Sequence, residues 1–563
     1  MCGILAIFNH NQNTADKHRA QLDKLTHRGP DACGYYFEPN KYFLGHRRLA
    51  IMDPESGKQP FKTEKGTMLA VNGEIYNYKY LQETFNVAKA VTKSDCEIII
   101  QLFDIFLKEM TELGDENFKI EMVIDKICGY IDGVFSFVIV YNDQIFAARD
   151  NIGVIPLYYG YNGNKEYQFA SEMKALDNVD FVAEFPPGHY FCNGEFHQMS
   201  HEKSNPWKNM KDDGDLSEYV QNITEYVPNT VYNAIKFHLK SAVEKRLMSD
   251  VQWGILLSGG LDSSVIAALA REILPNEEIR TFSIGLEGSP DIAAAEKVAE
   301  HLNTKHTSFT FTIEEALESL PKVIYHLETS DVTTIRAGTP MYLLAEKIKA
   351  TGCKMVLSGE GSDEMFGGYM YFWNCPTPKE FFFETQRKLK DLNYYDCLRA
   401  NKAMAAHGVE CRVPFLDSMV LDYVMSINPV LKMPKGERIE KHILRKCFEN
   451  NLPNEIVWRQ KEQFSDGVGY KWIDECKNKS KEMVEWKLWE NRELMFPTNT
   501  PKTHEALYYR MIFDKTFKIP GALSLVPYGA SCACSSDTAA KWEGNEVDDA
   551  SGRSVKSHIK STV

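Results

Sequence analysis

The chain is expected to fold as a layered α+β domain followed by an α/β domain built on a parallel sheet. Between residues 2 and 202, short β-rich runs such as Gly3 to Phe8, Met68 to Val71, Gly133 to Tyr141 and Gln144 to Ala148 alternate with turn clusters. Helical periodicity interrupts them at Ala15 to Thr26 and Asp95 to Lys108, where Ile98, Ile99, Leu102, Ile105 and Phe106 share a face. From about Tyr232 the order becomes helix, apolar strand, glycine turn and helix, with another apolar strand at Lys354 to Leu357. That alternation is how parallel sheets are assembled.

A length of 563 residues exceeds what one core usually supports, so at least two domains are required. The boundaries read as 2–202 for the first domain, 203–229 for a polar linker containing Asp212-Asp213-Gly214-Asp215, and 230–527 for the second. Residues 528–563, rich in Ser, Ala, Gly, Asp and Lys, are expected to be a disordered tail. Hydrophobic content of 44% and charged content of 25% are those of ordinary globular proteins. No run has the length of a membrane span, and the start lacks the basic region of a secretory signal, so the cytoplasm is expected. The 13 cysteines are scattered without a Cys-x-x-Cys pair, which reads as reduced thiols. A net charge of −14 disfavours a nonspecific nucleic-acid binder.

The second domain is organised around Ile255-Leu256-Leu257-Ser258-Gly259-Gly260-Leu261-Asp262-Ser263-Ser264, a buried strand that breaks into a tight turn and resumes as an alanine-rich helix. Paired glycines bring backbone N–H groups close to an anion, and the helix start adds partial positive charge, so the stretch reads as a phosphate cradle. It is not of the Walker type, since no Gly-Lys-Ser/Thr follows. Asp262, an acid among phosphates, makes sense chiefly as a Mg²⁺ ligand. Val356-Leu357-Ser358-Gly359-Glu360-Gly361-Ser362-Asp363-Glu364-Met365-Phe366-Gly367-Gly368 repeats the strand-to-glycine-turn pattern with carboxylates. It reads either as a solvated acidic loop or, in parallel with the Ser258 loop, as half of one nucleotide and metal site in which Asp262 and Asp363 pair on Mg²⁺.

In the first domain, Cys2 follows the initiator methionine. Removal of Met1 would leave a cysteine bearing its own α-amine, whose pKa near ~7.7 suits it to take the thiol proton. His27-Arg28-Gly29-Pro30-Asp31, Gly45-His46-Arg47-Arg48-Leu49-Ala50-Ile51, Val71-Asn72-Gly73-Glu74-Ile75-Tyr76-Asn77 and Ser94-Asp95 each read alone as a turn, a basic pair or a hairpin. Together, in this order after Met1-Cys2-Gly3-Ile4, they resemble the N-terminal-nucleophile glutamine amidotransferases. The Ser258 loop likewise resembles that of the ATP pyrophosphatases, which cleave ATP between the α- and β-phosphates. With Thr333-Thr334-Ile335-Arg336, Tyr395 to Lys402, Gly408 to Asp417 and Trp458 to Gly469, the chain from Cys2 to about residue 527 resembles the glutamine-hydrolysing asparagine synthetases.

The resemblance implies an αββα sandwich for the first domain and carries roles residue by residue. Arg48, with Leu49 and Ile51 beside it, would hold the glutamine carboxylate, and Glu74 with Asp95 the α-ammonium. The Asn72 amide and Gly73 N–H would stabilise the oxyanion formed when Cys2 attacks. Leu256 and Ile284 would flank adenine, and Ser258, Gly259, Gly260, Asp262, Ser263, Ser358 and Gly359 would hold the phosphates. Glu360 would take a proton from incoming ammonia, and Lys461 would neutralise the α-phosphate. Lys388 and Arg399 are candidates for the aspartate carboxylate, and Asp396 for an orienting residue. The implied partners are glutamine, aspartate, ATP and Mg²⁺, with a homodimer as the candidate assembly and neither nucleic acid nor membrane. Ammonia would pass between the sites through a dry passage. β-Lactam-forming and RNA-modifying relatives stay as rivals, the first lacking the cysteine and the second needing a basic patch.

Overall fold

The computed structural model describes residues 1–87, 91–112, 119–203, 206–210, 227–460, 464–469, 471–529 and 535–544. Two antiparallel six-stranded sheets form the first domain. One runs Phe181–Glu184, Tyr158–Tyr161, Tyr167–Ala170, Gly3–Phe8, Tyr42–Arg48, Ala32–Glu38 in spatial order. The other runs Glu195–Gln198, His189–Cys192, Gln144–Arg149, Gly133–Tyr141, Met68–Ile75, Phe61–Lys62. Alternation along Gly3–Phe8 turns Ile4, Ala6 and Phe8 toward the second sheet, where they meet Met68, Ala70, Val138 and Val140. Leu5 and Ile7 face the other way and join Leu22 of the helix Asp16–Asp23. The far face of the second sheet, with Leu69, Val71, Phe137 and Ile139, is covered by the helices Ile98–Glu112 and Glu121–Tyr130. Helix, sheet, sheet, helix is therefore the layer order.

The second domain carries a five-stranded parallel sheet in the order Lys305–Thr310, Arg280–Gly285, Trp253–Leu256, Met355–Leu357, Glu410–Arg412. From Trp253–Leu256 the next strand in sequence lies on one side and Met355–Leu357 on the other. The strand order thus reverses between these two strands, where α/β sheets open a crevice at the carboxyl ends. Both glycine turns emerge at that crevice.

Two elements differ from the sequence reading. Within the linker, Pro206–Asn209 is a helical turn whose Trp207 is buried, its indole donating to Asp422 Oδ1 at 2.8 Å. Within the tail, residues 535–544 are docked, with Ala539 and Trp542 buried against Tyr371, Phe372 and Phe381. In both cases one tryptophan among polar neighbours supplies an apolar anchor that average composition conceals.

Candidate functional site

Cys2 stands at the head of the strand Gly3–Phe8, next to the strand that ends in Arg48. Its N–H donates to Asn72 Oδ1 at 2.7 Å, its carbonyl accepts from Arg28 Nε at 2.8 Å, and its thiol lies 3.8 Å from the Leu49 carbonyl. Burial pushes the thiol pKa up, opposed by the N-terminal ammonium. Asn72 is fully buried, and its Nδ2 meets no hydrogen-bond partner among the described residues. A buried amide donor left open beside a nucleophile fits reception of an oxyanion. Gly73, at φ 146°, is obligatory, because a Cβ there would lie 2.1 Å from the Val134 carbonyl oxygen.

Glu74 and Asp95 are both buried, and burial raises both carboxyl pKa values. Asp95 accepts from Ile75 N–H at 2.7 Å, and Glu74 meets Arg412 at 3.1 Å. Two crowded carboxylates suit a site that receives an ammonium. The Arg48 guanidinium donates to the carbonyls of Met52 (2.8 Å), Asp53 (2.6 Å) and Pro54 (3.3 Å), fastening the turn after Ile51. Leu49 and Ile51 are buried in the same wall.

In the crevice of the second domain, Ser258 Oγ accepts from Gly260 N–H at 3.3 Å, and Ser263 Oγ accepts from Ser258 N–H at 3.2 Å. Gly259 sits at φ 71°, and a Cβ on it would come within 2.5 Å of Ala294 and Ala295 backbone atoms. Gly359 leaves room for the other turn to approach, its hypothetical Cβ lying 2.9 Å from Asp262. Leu256, Ile284, Ser258, Gly260, Asp262, Ser263, Ser358, Gly359, Glu360 and Asp363 all line one cavity.

Asp262 and Asp363 converge on the ammonium of Lys441, at 2.6 and 2.5 Å, while Ser362 Oγ donates to Asp262 Oδ1 at 2.6 Å. Arg399 is an internal bridge, 2.8 Å from Glu360 and 2.5 Å from Asp396, and all three line the cavity. Lys388 stands behind that wall with its ammonium 4.0 Å from the Tyr369 ring centre. Lys461 lies outside the described residues. Lys441, Glu364, Tyr369, Arg445 and Arg459 also line the cavity and were missed by the sequence reading. Glu364 had a local signal, directly after Asp363 in the acidic stretch already singled out, but was given no role. Lys441 had none, because its partners are remote in sequence.

The strand Glu410–Arg412 joins the two sites. It pairs with Met355–Leu357, and its Arg412 carbonyl accepts from Ser358 N–H at 2.9 Å, at the base of the acidic turn. On the opposite side Glu410 holds the Met1 ammonium at 2.9 Å and Arg412 reaches Glu74. Burial alone would raise the Glu410 carboxyl, but the N-terminal ammonium and Arg412 hold it down to about 2. Arg28 adds a second tie, donating to Cys2 O, to Glu172 at 2.8 Å and to Asn401 at 2.9 Å in the second domain.

Fold and site together define a glutamine amidotransferase unit coupled to a nucleotide-binding synthetase unit. Residues 1–187 match the model described as glutamine amidotransferase domain, and residues 234–383 and 374–524 match that described as asparagine synthase. The chain is 44% identical to asparagine synthetase [glutamine-hydrolyzing] of Zea mays, over 99% of this chain and 94% of that one. It is also 44% identical to asparagine synthetase B [glutamine-hydrolyzing] of Escherichia coli (strain K12), over 99% of each. A third relative, asparagine synthetase [glutamine-hydrolyzing] 2 of Arabidopsis thaliana, is 45% identical over 99% of this chain and 94% of its own. The chain belongs to the glutamine-hydrolysing asparagine synthetase family.

Proposed function

We propose that this chain makes asparagine from aspartate at the expense of ATP, using nitrogen taken from glutamine. The observation that carries the reading is the single strand Glu410–Arg412, which reaches Met1 and Glu74, the chain neighbours of Cys2 and Gly73, on one side and the base of the Ser358 turn on the other. At the first site Cys2 attacks the glutamine amide carbon, Asn72 Nδ2 steadies the oxyanion, and ammonia leaves before water releases glutamate. This role requires Met1 to be removed, which exchanges the Cys2 amide for a basic amine. At the second site the aspartate side-chain carboxylate attacks the ATP α-phosphate, releasing pyrophosphate. Ammonia then displaces AMP from the β-aspartyl adenylate, Glu360 accepting its proton.

Mg²⁺ belongs to this reading. The position between Asp262 and Asp363 is occupied by an ammonium in this structure, so the pair already tolerates a cation, and two carboxylates with phosphate oxygens make a donor set suited to Mg²⁺. When bound, the ion would offset charge on the departing pyrophosphate. Passage of neutral ammonia between sites is supported by the apolar cluster that runs unbroken from Leu49, Ile51 and Val154 to Leu398, Met404 and Val413. A cytoplasmic location is supported by the free state of every described cysteine.

The test is to incubate the protein with aspartate, ATP·Mg²⁺ and amide-labelled glutamine. Label in asparagine with AMP as the nucleotide product is expected; ADP, or unlabelled asparagine, would reject the reading.

A further inference from the structure

The docked segment 535–544 meets the molecule at one place. Its Ala539 and Trp542 complete a small aromatic cluster with Tyr371, Phe372 and Phe381, separate from the large cores of either domain. The Trp542 ring lies 5.9 Å from that of Tyr371 and 6.3 Å from that of Phe372, and Phe372 in turn lies 5.0 Å from Phe381. Polar contacts fix the segment at both ends. Trp542 Nε1 donates to Glu380 Oε2 at 2.7 Å, and Ser536 N–H donates to Glu384 Oε1 at 3.1 Å, the same oxygen that accepts the Tyr371 hydroxyl at 2.8 Å.

What the segment covers is a turn that adjoins the adenylation cavity, without lining the cavity itself. The 3₁₀ turn Met370–Asn374 begins one residue after Tyr369, which lines that cavity together with Asp396 and Arg399. Tyr369 and Tyr371 rings stand 6.1 Å apart and nearly parallel, at 12°. On its other side Tyr369 bonds Glu364 and carries the Lys388 ammonium over its face. The turn is tethered to the Asp363 end by Gly367, at φ 63°, and Gly368, whose N–H donates to the Asp363 carbonyl at 2.8 Å. A short turn after two glycines has little rigidity of its own, so its position depends on what packs on it.

We propose that residues 535–544 form a strap that holds the 369–374 turn in register with the adenylation cavity, and that Trp542 is a positioning residue for the synthetase half-reaction. The proposal rests on the function given above. Truncating Trp542 removes the lid from Tyr371 and Phe372, lets the turn shift, and misplaces Tyr369 against Asp396 and Arg399. Misplacement of that kind is costly at a site whose rate depends on fixed geometry.

The experiment compares wild type, Trp542→Ala, Trp542→Phe and Ser536→Pro in the full chain. Two assays are run: pyrophosphate release from aspartate, ATP·Mg²⁺ and ammonia, and glutamate release from glutamine alone. Expected for Trp542→Ala is a fall on the order of tenfold in kcat for pyrophosphate release, with kcat and KM for glutamine hydrolysis unmoved. Trp542→Phe should recover most of that loss, and Ser536→Pro, which removes the other tether, should reproduce part of it. Pyrophosphate kinetics of Trp542→Ala within about twofold of wild type would overturn the strap, as would an equal loss in both assays. Wild type failing to release pyrophosphate would instead reject the underlying function, so the two failures are distinguishable.

Discussion

Asn72→Ala removes the open side-chain amide donor beside Cys2. The structure fixes what is lost: Nδ2 has no partner among the described residues in the resting site, so its contribution arises only when charge develops on a bound carbonyl oxygen. Loss of one such donor costs about 10²–10³ in kcat, or about 2.7–4 kcal/mol of transition-state stabilisation. KM for glutamine should change little, because the amide is not otherwise committed to ground-state binding. The Oδ1 acceptor of Cys2 N–H disappears too, and an unsatisfied buried donor adds about 1–3 kcal/mol of folding cost, which thermal denaturation would register. The assay is glutamate release over a range of glutamine concentrations, alongside ammonia-dependent asparagine formation in the same preparation. A variant that loses affinity while keeping kcat, or that loses ammonia-dependent synthesis equally, would refute the assignment of Asn72 to the oxyanion.

Other perturbations have equally definite outcomes. Cys2→Ala should abolish glutamine use and leave ammonia-dependent synthesis, measured by product analysis with either nitrogen source. Gly259→Ala must force a Cβ to within 2.5 Å of Ala294 and Ala295 at a left-handed φ, so ATP-dependent pyrophosphate release should collapse while glutamine hydrolysis continues. Arg28→Met removes the bonds to Cys2, Glu172 and Asn401, but Glu172 keeps His27 at 2.9 Å and Lys174 at 2.5 Å. The fold should survive, and glutamate should be formed in excess over asparagine as coupling weakens. Lys432 is fully buried beside the Val424 carbonyl, and burial lowers its pKa to about 7. Because the folded pKa is below the unfolded value near ~10.4, the penalty is full below pH ~7 and fades as pH rises toward ~10. Lys432→Met should therefore raise the denaturation midpoint at pH 7, with about 3–5 kcal/mol as the ceiling, and the advantage should shrink at pH 10; an advantage constant with pH would sink this account.

Local patterns made much of this legible. Short β-rich apolar runs in Gly3 to Phe8 and Gly133 to Tyr141 announced strands of the layered domain, and the runs ending at Leu257 and Leu357 announced buried parallel ones. The glycine turns and their acids could be read because phosphate binding needs several adjacent residues on one backbone. What stayed hidden depends on residues far apart in the chain. Lys441 meets Asp262 across 179 positions, and Trp542 meets Glu380 across 162. Arg48 shows the opposite limit: its partners are only four to six residues away, yet the path of the turn after Ile51 that brings their carbonyls to it is not specified by residue type.

The charges buried between the domains explain why one chain carries both sites. Glu410 and Arg412, each about as buried as an apolar core residue, would be an uncompensated liability if the domains separated, since each has its second partner across the boundary. Such a junction contributes little net stability against an apolar one, but it is directional: it fixes which side of the strand faces Cys2 and which carries the Ser358 turn. Removal of Met1 takes away the ammonium on Glu410, so the carboxylate held down to about 2 loses one of its two cations when the α-amine of Cys2 is exposed. Arg412, which also reaches Glu74, is then the cation left to Glu410. Glu74 at the first site is thereby tied through that guanidinium to a strand whose other edge pairs with the one leading into the second.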